Sequence, residues 1–361
     1  MRRIYNFSAG PAILPVPVLE AASQAVLEIN GSGMSILEVS HRGKDYEAIH
    51  QDAKERLLRV LELSAEEYTV LFLGGGASLQ FAMLPMNLLG KEDTADYVHT
   101  GEWSKKAIGE AKRFGKVNVA ASSEDSKFSY IPKELNLTAG AKYVHLTTNN
   151  TIEGTEWKQF PDTNGVPLVV DASSDIMARN IDYSRFDLIY AGAQKNAGPA
   201  GVTLVIARKS YLETATDDIS TILSYKTHAK GDSLYNTPPA FPIFVVGQVA
   251  KWVEEQGGLA VMQKRNEEKA SVLYSALEAH PDFYEPAVTV EEDRSLMNVT
   301  FRIKNADLDK AFLAGSIERE MDGLKGHRAV GGFRASIYNA FPKAGCEALA
   351  EYLHEFAAKN A

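Results

Sequence analysis

Residues 187–207 read DLIYAGAQKNAGPAGVTLVIA, which is two apolar runs on either side of a polar, glycine-rich segment. The runs Asp187–Ala191 and Gly201–Ala207 have the length and the Val, Leu and Ile content of strands covered on both faces. Gly198-Pro199-Ala200-Gly201 leaves no room for a crossover helix, so we predict that these two strands are antiparallel neighbours. Lys195 follows the first run, at the strand end where open α/β sheets bind their ligands.

Short apolar runs also alternate with helical segments through the preceding part of the chain. Further strands are predicted at Thr69–Leu73, Ala95–His99, Lys116–Ala120, Lys142–Leu146 and Pro167–Asp171. Alternation of this kind implies parallel strands joined by right-handed crossovers. We therefore predict an α/β fold whose large domain is a mostly parallel, mixed sheet covered by helices.

A smaller α/β domain is predicted toward the C-terminus. Its elements are a long helix from Gly257-Gly258 to about His280, strands at Leu296–Ile303 and Gly332–Ile337, and a helix at Cys346–Ala358. The Gly- and Pro-rich N-terminus is predicted to be an extended arm. The predicted division is a large domain of residues 16–258 and a small domain formed by residues 1–15 and 259–361.

Two helices are predicted before the first strand. The apolar residues of the first follow helical spacing, and they are Val18, Leu19, Ala22, Val26 and Ile29. Asp45 follows a polar loop and is predicted to be the N-cap of a second amphipathic helix that ends near Leu63.

The composition excludes several classes of protein. The 361 residues carry a net charge of −9, so the chain lacks the basic footprint of a nucleic-acid-binding protein. The single cysteine, Cys346, excludes an internal disulfide and a cysteine-based metal site, and we predict no metal. The uncharged stretch Val70–Gly90 has the length of a membrane helix, but Gly and Pro residues interrupt it, so we predict a strand, a turn and a helix there. The N-terminus has no apolar run of the kind that a signal peptide needs. We therefore expect a cytoplasmic protein without a membrane partner.

Four turns at predicted strand ends carry ligand-binding or reactive groups, and one of them, Thr147-Thr148-Asn149-Asn150-Thr151-Ile152-Glu153-Gly154, supplies small hydroxyls. Gly74-Gly75-Gly76 opens a helix whose free N–H groups attract phosphate, although a plain tight turn fits equally well. Asp171 ends a buried strand, and its alternative role is to cap a following helix. Lys195 follows the next strand, although a lone lysine is usually only solvated.

Asp171 and Lys195 indicate more together than either does alone. They lie 24 residues apart, at corresponding ends of strands that we expect to be neighbours. Pyridoxal phosphate needs such a pair, because a lysine forms an imine with its aldehyde and a carboxylate pairs with its ring nitrogen. Thr151 is a candidate partner of the ring oxygen and Trp103 a candidate stacking residue, although Trp103 also suits a core position.

Eight motifs stand in order along nearly the whole chain. They are Asn6-Phe7-Ser8-Ala9-Gly10-Pro11-Ala12, Glu38-Val39-Ser40-His41-Arg42, Gly74-Gly75-Gly76-Ala77-Ser78, Asn149-Asn150-Thr151-Ile152-Glu153-Gly154, Asp171-Ala172-Ser173-Ser174, Gly192-Ala193-Gln194-Lys195-Asn196, Asn236-Thr237-Pro238 and His327-Arg328. These motifs resemble those of the phosphoserine aminotransferase family, which are class V members of the fold-type I pyridoxal-phosphate enzymes.

The resemblance implies a role for each matching position. Lys195 is expected to hold the cofactor and shuttle the proton, Asp171 to hold the ring nitrogen, Trp103 to stack on the ring and Thr151 to contact its hydroxyl. The expected contacts of the cofactor, mainly at its phosphate, are Gly76, Ala77, Ser78 and Gln194, with Asn236 and Thr237 from the other subunit of a homodimer. The expected substrate-binding residues are Arg334 for the α-carboxylate and His41, Arg42, His327 and Arg328 for the distal anion.

One position departs from the family pattern. Some members have an arginine directly after the glycine turn, where this chain has Ala77 followed by Ser78. The anion pocket therefore has one positive group fewer from that position.

The implied activity is ping-pong transamination between L-glutamate and 3-phosphohydroxypyruvate, in serine synthesis and as an option in vitamin B6 synthesis. A cysteine desulfurase is an alternative, but it needs a mobile cysteine, and Cys346 starts a predicted helix. An aminotransferase for alanine, serine or glyoxylate is a closer alternative that needs fewer anion-binding groups. A cofactor-dependent regulator usually carries a basic nucleic-acid domain, and no segment here has that character.

Overall fold

The computed structural model describes residues 3–360 of the chain. Its strands are β1 (Tyr5–Asn6), β2 (Tyr68–Leu73), β3 (Thr94–His99), β4 (Lys116–Ser122), β5 (Val144–Thr147), β6 (Leu168–Asp171), β7 (Leu188–Gly192), β8 (Thr203–Arg208), β9 (Tyr284–Pro286), β10 (Asn298–Ile303), β11 (Met321–Asp322) and β12 (Phe333–Ser336). Its α-helices are α1 (Val16–Leu27), α2 (Lys44–Val60), α3 (Gly76–Leu88), α4 (Glu102–Ala111), α5 (Lys209–Glu213), α6 (Tyr225–Lys230), α7 (Ala240–Glu255), α8 (Gly258–Glu278), α9 (Asp309–Glu318) and α10 (Lys343–Asn360).

Seven strands form one mixed sheet in the order β2-β8-β7-β6-β5-β3-β4. The strands from β7 to β4 run parallel, whereas β8 is antiparallel to both β7 and β2. Gly192 lies opposite Thr203 and Leu188 opposite Ala207, so the segment between β7 and β8 folds back without a helix. The predictions of a mostly parallel, mixed sheet and of an antiparallel pair in residues 187–207 are confirmed.

Helices cover both faces of this sheet, because successive strand residues point to opposite faces. Val70 and Phe72 share a buried cluster with residues of α1, α2 and α7. Leu71 and Leu73, on the other face, share a second cluster with residues of α3 and α4. Burying each such side chain stabilises the fold by about 1.5–3 kcal/mol, which explains why these strands are apolar along their whole length.

A second core lies around the three-stranded antiparallel sheet β12-β10-β9 and the short β1–β11 pair. Phe7 from the N-terminal arm is fully buried in it, together with residues of β10, β12 and α10. The helix α8 contributes Met262 to the core of the large sheet and Leu273 to the second core. The division of the chain into domains at residue 258 stays a prediction.

The second helix differs from its prediction at both ends. It begins at Lys44, and the N-cap is Gly43 rather than Asp45, because Gly43 has an extended backbone (φ −90°, ψ 154°) and its carbonyl accepts from Glu47 N. Asp45 lies in the first helical turn, where its carboxylate interacts with the helix dipole. The helix ends at Val60, and Glu62 beyond it takes a left-handed conformation (φ 56°). The prediction of an Asp45 N-cap is wrong.

The uncharged stretch from residue 70 to residue 90 contains the end of β2, a glycine turn and α3, as the sequence predicts. Within residues 3–360, none of the helices is apolar enough over a sufficient length to cross a membrane.

Candidate active site

The parallel strands β5, β6 and β7 end side by side at one edge of the large sheet. Thr147 is in register with Asp171, and Asp171 is in register with Tyr190. The polar turns that follow these strands therefore meet at this edge. The predicted adjacency of the strands that precede Asp171 and Lys195 is confirmed.

The Lys195 ammonium group lies between Thr151 and Trp103. Its Nζ donates a hydrogen bond to Thr151 Oγ1 (2.5 Å) and lies 5.1 Å from the centroid of the Trp103 ring. Burial lowers the pKa of Lys195 to about 8, although the charge of Asp171 acts in the opposite direction. About one tenth of the amine is therefore uncharged at pH 7, far more than for an ordinary lysine, and the uncharged form is the nucleophile and proton acceptor.

The Asp171 carboxylate is buried at the end of β6. Ser173 donates two hydrogen bonds to Asp171 Oδ1, one from its backbone N (3.0 Å) and one from its hydroxyl (2.6 Å). Burial raises the pKa of Asp171, while the charge of Lys195 and the bonds from Ser173 lower it. Asp171 Oδ2 takes no part in these bonds, so it is available to a cationic ring nitrogen. No helix starts in the turn after Asp171, so a helix-capping role is not supported.

The glycine turn after β2 opens directly into α3. Gly75 (φ 80°) and Gly76 (φ 65°) take left-handed conformations that favour glycine. A Cβ added at Gly76 would meet no heavy atom within 4 Å, so open space faces the first turn of the helix. Free backbone N–H groups at this end, with the Ser78 hydroxyl in the same turn, suit a phosphate group.

Gln194 and Ala77 approach each other beside this turn. A Cβ added at Gly192 would lie 3.0 Å from Gln194 Oε1 and 3.5 Å from Ala77 N, so the absence of a side chain lets both groups come close. The structure therefore brings the turn that carries Lys195 next to the start of α3.

Trp103 lies in the first turn of α4 and packs partly against the core between α3 and the sheet. It thus serves the core and also faces Lys195. Glu102 N, at the start of the same helix, donates to Glu153 Oε1 (2.8 Å). Burial raises the pKa of Glu153 to about 7, and Glu153 Oε2 has no hydrogen-bond partner among residues 3–360.

Arg334 reaches the site from β12 of the small sheet. Its Nη1 donates to the backbone carbonyl of Thr151 (3.3 Å), and its charge acts on both Lys195 and His327. Burial, followed by the positive charges of Arg334, Arg328 and Lys106, lowers the pKa of His327. A group of positively charged side chains therefore stands on the small-sheet side of Lys195.

Four of the predicted residues make no bond to the central groups of the site. In the part of the chain that the structure describes, no hydrogen bond or ion pair joins His41, Arg42, Asn236 or Thr237 to Lys195, Asp171 or Arg334. Arg42, Asn236 and Thr237 are exposed, and His41 is partly exposed. Asn236 instead lines a cavity of 270 Å³ beside Gly74 and Gly75 of its own chain.

Two contacts that hold the Lys195 turn in place were not predicted from the sequence. A Cβ at Gly10 would lie 3.4 Å from Lys195 Cγ, so the N-terminal arm packs directly against the lysine. Asn196 Oδ1 accepts from Asn339 N (3.0 Å) and links the lysine turn to the segment after β12. The partners are far apart in the chain, so local sequence patterns do not reveal these contacts; only the N-terminal motif marks the arm as special.

A buried amine of lowered pKa, a carboxylate with one oxygen available and an open glycine-lined phosphate cradle fit pyridoxal phosphate. A sequence model of the family Aminotransferase class-V matches residues 4–349. The chain therefore belongs to the class V aminotransferases, which are fold-type I enzymes that use pyridoxal 5′-phosphate.

Within this class, the chain falls in the phosphoserine aminotransferase family. It is 54% identical over 358 residues to the phosphoserine aminotransferase of Geobacillus kaustophilus (strain HTA426), with 99% of each chain covered. It is 50% identical over 362 residues to that of Bacillus subtilis (strain 168), with 100% of each chain covered. The solved phosphoserine aminotransferase of Bacillus circulans subsp. alkalophilus superposes with a TM-score of 0.97 at 50% identity, covering 99% of both chains. The solved alanine–glyoxylate aminotransferase of Nostoc sp. superposes with a TM-score of 0.76 at 17% identity, covering 98% of this chain and 95% of the Nostoc chain. At this identity, the similarity shows only that the two proteins share a fold.

Proposed function

We propose that the chain catalyses the reversible transfer of the amino group of L-glutamate to 3-phosphohydroxypyruvate, giving O-phospho-L-serine and 2-oxoglutarate in serine biosynthesis. Full-length relatives that are phosphoserine aminotransferases support this reaction. The observation that carries it is the convergence of two cations on one residue. Lys195 bonds to the Thr151 hydroxyl and Arg334 to the Thr151 carbonyl, so an amine and a guanidinium group whose geometry suits a carboxylate lie against the same residue.

The residues around Lys195 have separate tasks in this reaction. Bound pyridoxal phosphate supplies an electron-accepting ring. Lys195 Nζ would hold the cofactor and, when free, would carry the proton between the substrate Cα and the cofactor carbon. The Asp171 carboxylate stabilises positive charge on the ring nitrogen; at ~4 Å and an effective dielectric near 20, such a pair is worth about 4 kcal/mol. Trp103 stacks on the ring, and Gly76, Ala77, Ser78 and Gln194 surround the phosphate.

Positively charged side chains orient the substrate. Arg334 takes the α-carboxylate through its planar fork, and His327 and Arg328 contact the distal phosphate or the glutamate side chain. The same pocket accepts the related phosphorylated keto acid of vitamin B6 synthesis, which carries the same two anionic ends.

The test is turnover by the cofactor-loaded enzyme of glutamate with 3-phosphohydroxypyruvate. Initial rates measured at several concentrations of both substrates should give parallel reciprocal plots, as a ping-pong scheme requires. Pyruvate and glyoxylate serve as competing acceptors. Preference for either of them would instead support an alanine or glyoxylate aminotransferase.

Two variants separate the roles of the central pair. Lys195→Ala should lose activity and the absorption band of the covalently held cofactor. Asp171→Asn should retain cofactor but lose at least about 100-fold in kcat, because an amide no longer stabilises the charged ring. Full activity of Asp171→Asn would overturn the assignment.

The proposal includes a cytoplasmic homodimer with shared sites. Exposed large apolar side chains precede Arg42 and Asn236 in the chain, namely Leu27, Met34 and Leu37 before Arg42, and Ile222 and Tyr235 before Asn236. A second copy that packs against these segments would cover them. His41 and Arg42 would then reach the distal anion, and Asn236 and Thr237 the cofactor phosphate, of the partner subunit.

A cysteine desulfurase activity is disfavoured by the position of Cys346. Its side chain is fully buried within α10 and the second core, and burial raises the pKa of the thiol to about 12. A thiol in that state lacks both the access and the ionisation that a nucleophile needs.

A further inference from the structure

Lys106 is a cation beside the active site to which the family resemblance assigns no role. It lies in α4 one turn after Trp103, and its Nζ is 4.4 Å from the centroid of the Trp103 ring. The ammonium group of Lys195 lies 5.1 Å from the same centroid. One indole ring therefore contacts both the central lysine and a second, exposed lysine.

The Lys106 ammonium group has no carboxylate partner within residues 3–360. Glu102 precedes it by four residues, a spacing at which Glu and Lys on a helix commonly pair. Lys106 nevertheless makes no ion pair within residues 3–360, and its ammonium group lies over the indole instead. An unpaired cation held over an aromatic face is available to an anion that enters from solvent.

The neighbours of Lys106 on the side of the small sheet are also cations. The charges that act on His327 are those of Arg334, Arg328 and Lys106, opposed by Glu102. Three cations therefore act on His327, and the carboxylates that oppose them are Glu102 beside His327 and the buried Glu153 beside Arg334. An anion of high charge that binds among these cations lowers their mutual repulsion.

We infer that Lys106 binds the distal phosphate of the substrate. The inference rests on the proposed function. A phosphate dianion gains about twice the Coulomb energy from one lysine that a carboxylate gains at the same distance. Lys106 therefore favours phosphorylated substrates over glutamate.

The experiment compares Lys106→Gln with Lys105→Gln in the cofactor-loaded enzyme. Lys105 is a matched control, because it is also an exposed lysine on α4 and its charge acts on His99. Lys106→Gln should raise KM for O-phospho-L-serine about ten-fold and for glutamate only about three-fold, in the proportion of their charges. Lys105→Gln should change neither, and Lys106→Arg should restore the KM for O-phospho-L-serine to within about two-fold.

A binding measurement that needs no turnover completes the test. Inorganic phosphate should inhibit the wild-type enzyme competitively, and Lys106→Gln should raise its inhibition constant by a factor similar to that for O-phospho-L-serine. Equal changes for phosphorylated and carboxylate substrates, or none beyond those of Lys105→Gln, would overturn the role of Lys106. Wild-type enzyme that fails to use O-phospho-L-serine at all would instead overturn the proposed function.

Discussion

Glu153 shows how burial sets the protonation of a side chain close to Lys195. Its Oε1 caps the first N–H of α4, while Oε2 has no partner in the part of the chain that the structure describes. A Cβ at Gly101 would lie 2.4 Å from Oε2, so the carboxyl is packed tightly against the backbone that precedes Trp103. An unpaired charge in this position is costly, which is why burial raises the pKa of Glu153 to about 7.

This pKa predicts a pH-dependent stability difference between Glu153→Gln and the wild type. Between the ordinary carboxyl pKa of 4.5 and about 7, native Glu153 holds a proton that the unfolded chain has released. The wild type therefore loses stability as pH rises through this range, by on the order of 3 kcal/mol, whereas glutamine does not titrate. Urea unfolding of the apo protein at pH 5 and pH 7 should show the variant gaining relative to the wild type at the higher pH.

The exposed Glu66 provides the control for this measurement. Glu66→Gln should show the same pH dependence as the wild type. A stability difference between Glu153→Gln and the wild type that does not change with pH would mean that Glu153 ionises as an ordinary carboxyl.

At the scale of single side chains, the role of Glu153 could not be predicted from the sequence, whereas those of Lys195 and Asp171 could. Lys195 and Asp171 were identifiable because Asp171 ends one strand and Lys195 follows the next, so both lie at the same edge of the sheet. Glu153 stands in a recognised motif, yet its task depends on Glu102, which is 51 residues away. The pKa of Glu153 is raised because segments that are distant in the sequence bury its carboxyl group, and the local sequence does not reveal these contacts.

At the scale of elements, the loop after β5 joins the large sheet to the small one. Gly154 has φ 89°, and a Cβ there would lie 2.3 Å from Thr300 Oγ1 of β10. Thr300 in turn donates to the carbonyl of Glu153 (2.8 Å). The loop that carries Thr151 is thus pressed against β10 at a point where only a hydrogen atom fits.

Gly154→Ala should therefore destabilise the protein by about 2–4 kcal/mol, through steric overlap added to the strain of a left-handed alanine. It should also weaken cofactor binding, because Thr151 lies three residues earlier. Gly140→Ala is the matched control, since Gly140 has a similar φ of 76° but a Cβ there would meet nothing within 4 Å. It should cost only about 1 kcal/mol, which chemical denaturation can distinguish. Equal losses in both variants would show that backbone strain alone sets the cost.

The elements themselves were largely predictable, and the exceptions have physical causes. Strands of the large sheet were recognisable because burial on both faces makes them continuously apolar, and the pair in residues 187–207 because the turn is too short for a helix. The start of α2 was misplaced because Asp45 is a good capping residue, whereas the extended backbone of Gly43 fixes the boundary. The pairing of β1 with β11 joins Tyr5 to Met321, and such distant two-residue strands leave no periodic pattern.

At the scale of the whole molecule, the residues predicted for the site do not all contact one another within residues 3–360. Arg334 contacts the backbone of Thr151 within one chain, whereas Arg42 is exposed and has no contact with Lys195 within residues 3–360. A symmetric dimer presents the same surface from each partner, so a residue far from its own site can complete the other one. The arrangement therefore predicts that Arg42 acts in trans and Arg334 in cis.

Mixing two inactive variants tests this directly. Lys195→Ala and Arg42→Ala should each be nearly inactive, yet random exchange of their subunits should restore about one quarter of wild-type activity, because half of the dimers are mixed and each mixed dimer has one intact site. A mixture of Lys195→Ala with Arg334→Ala should recover far less, because each intact lysine then stands beside a missing Arg334 of the same chain. Recovery that is equal in both mixtures, or absent from the first, would contradict a site completed by the partner subunit. An affinity tag on one variant would capture the untagged variant only in mixed dimers and so would confirm that exchange had occurred, and a failure of complementation could then not be ascribed to unmixed dimers.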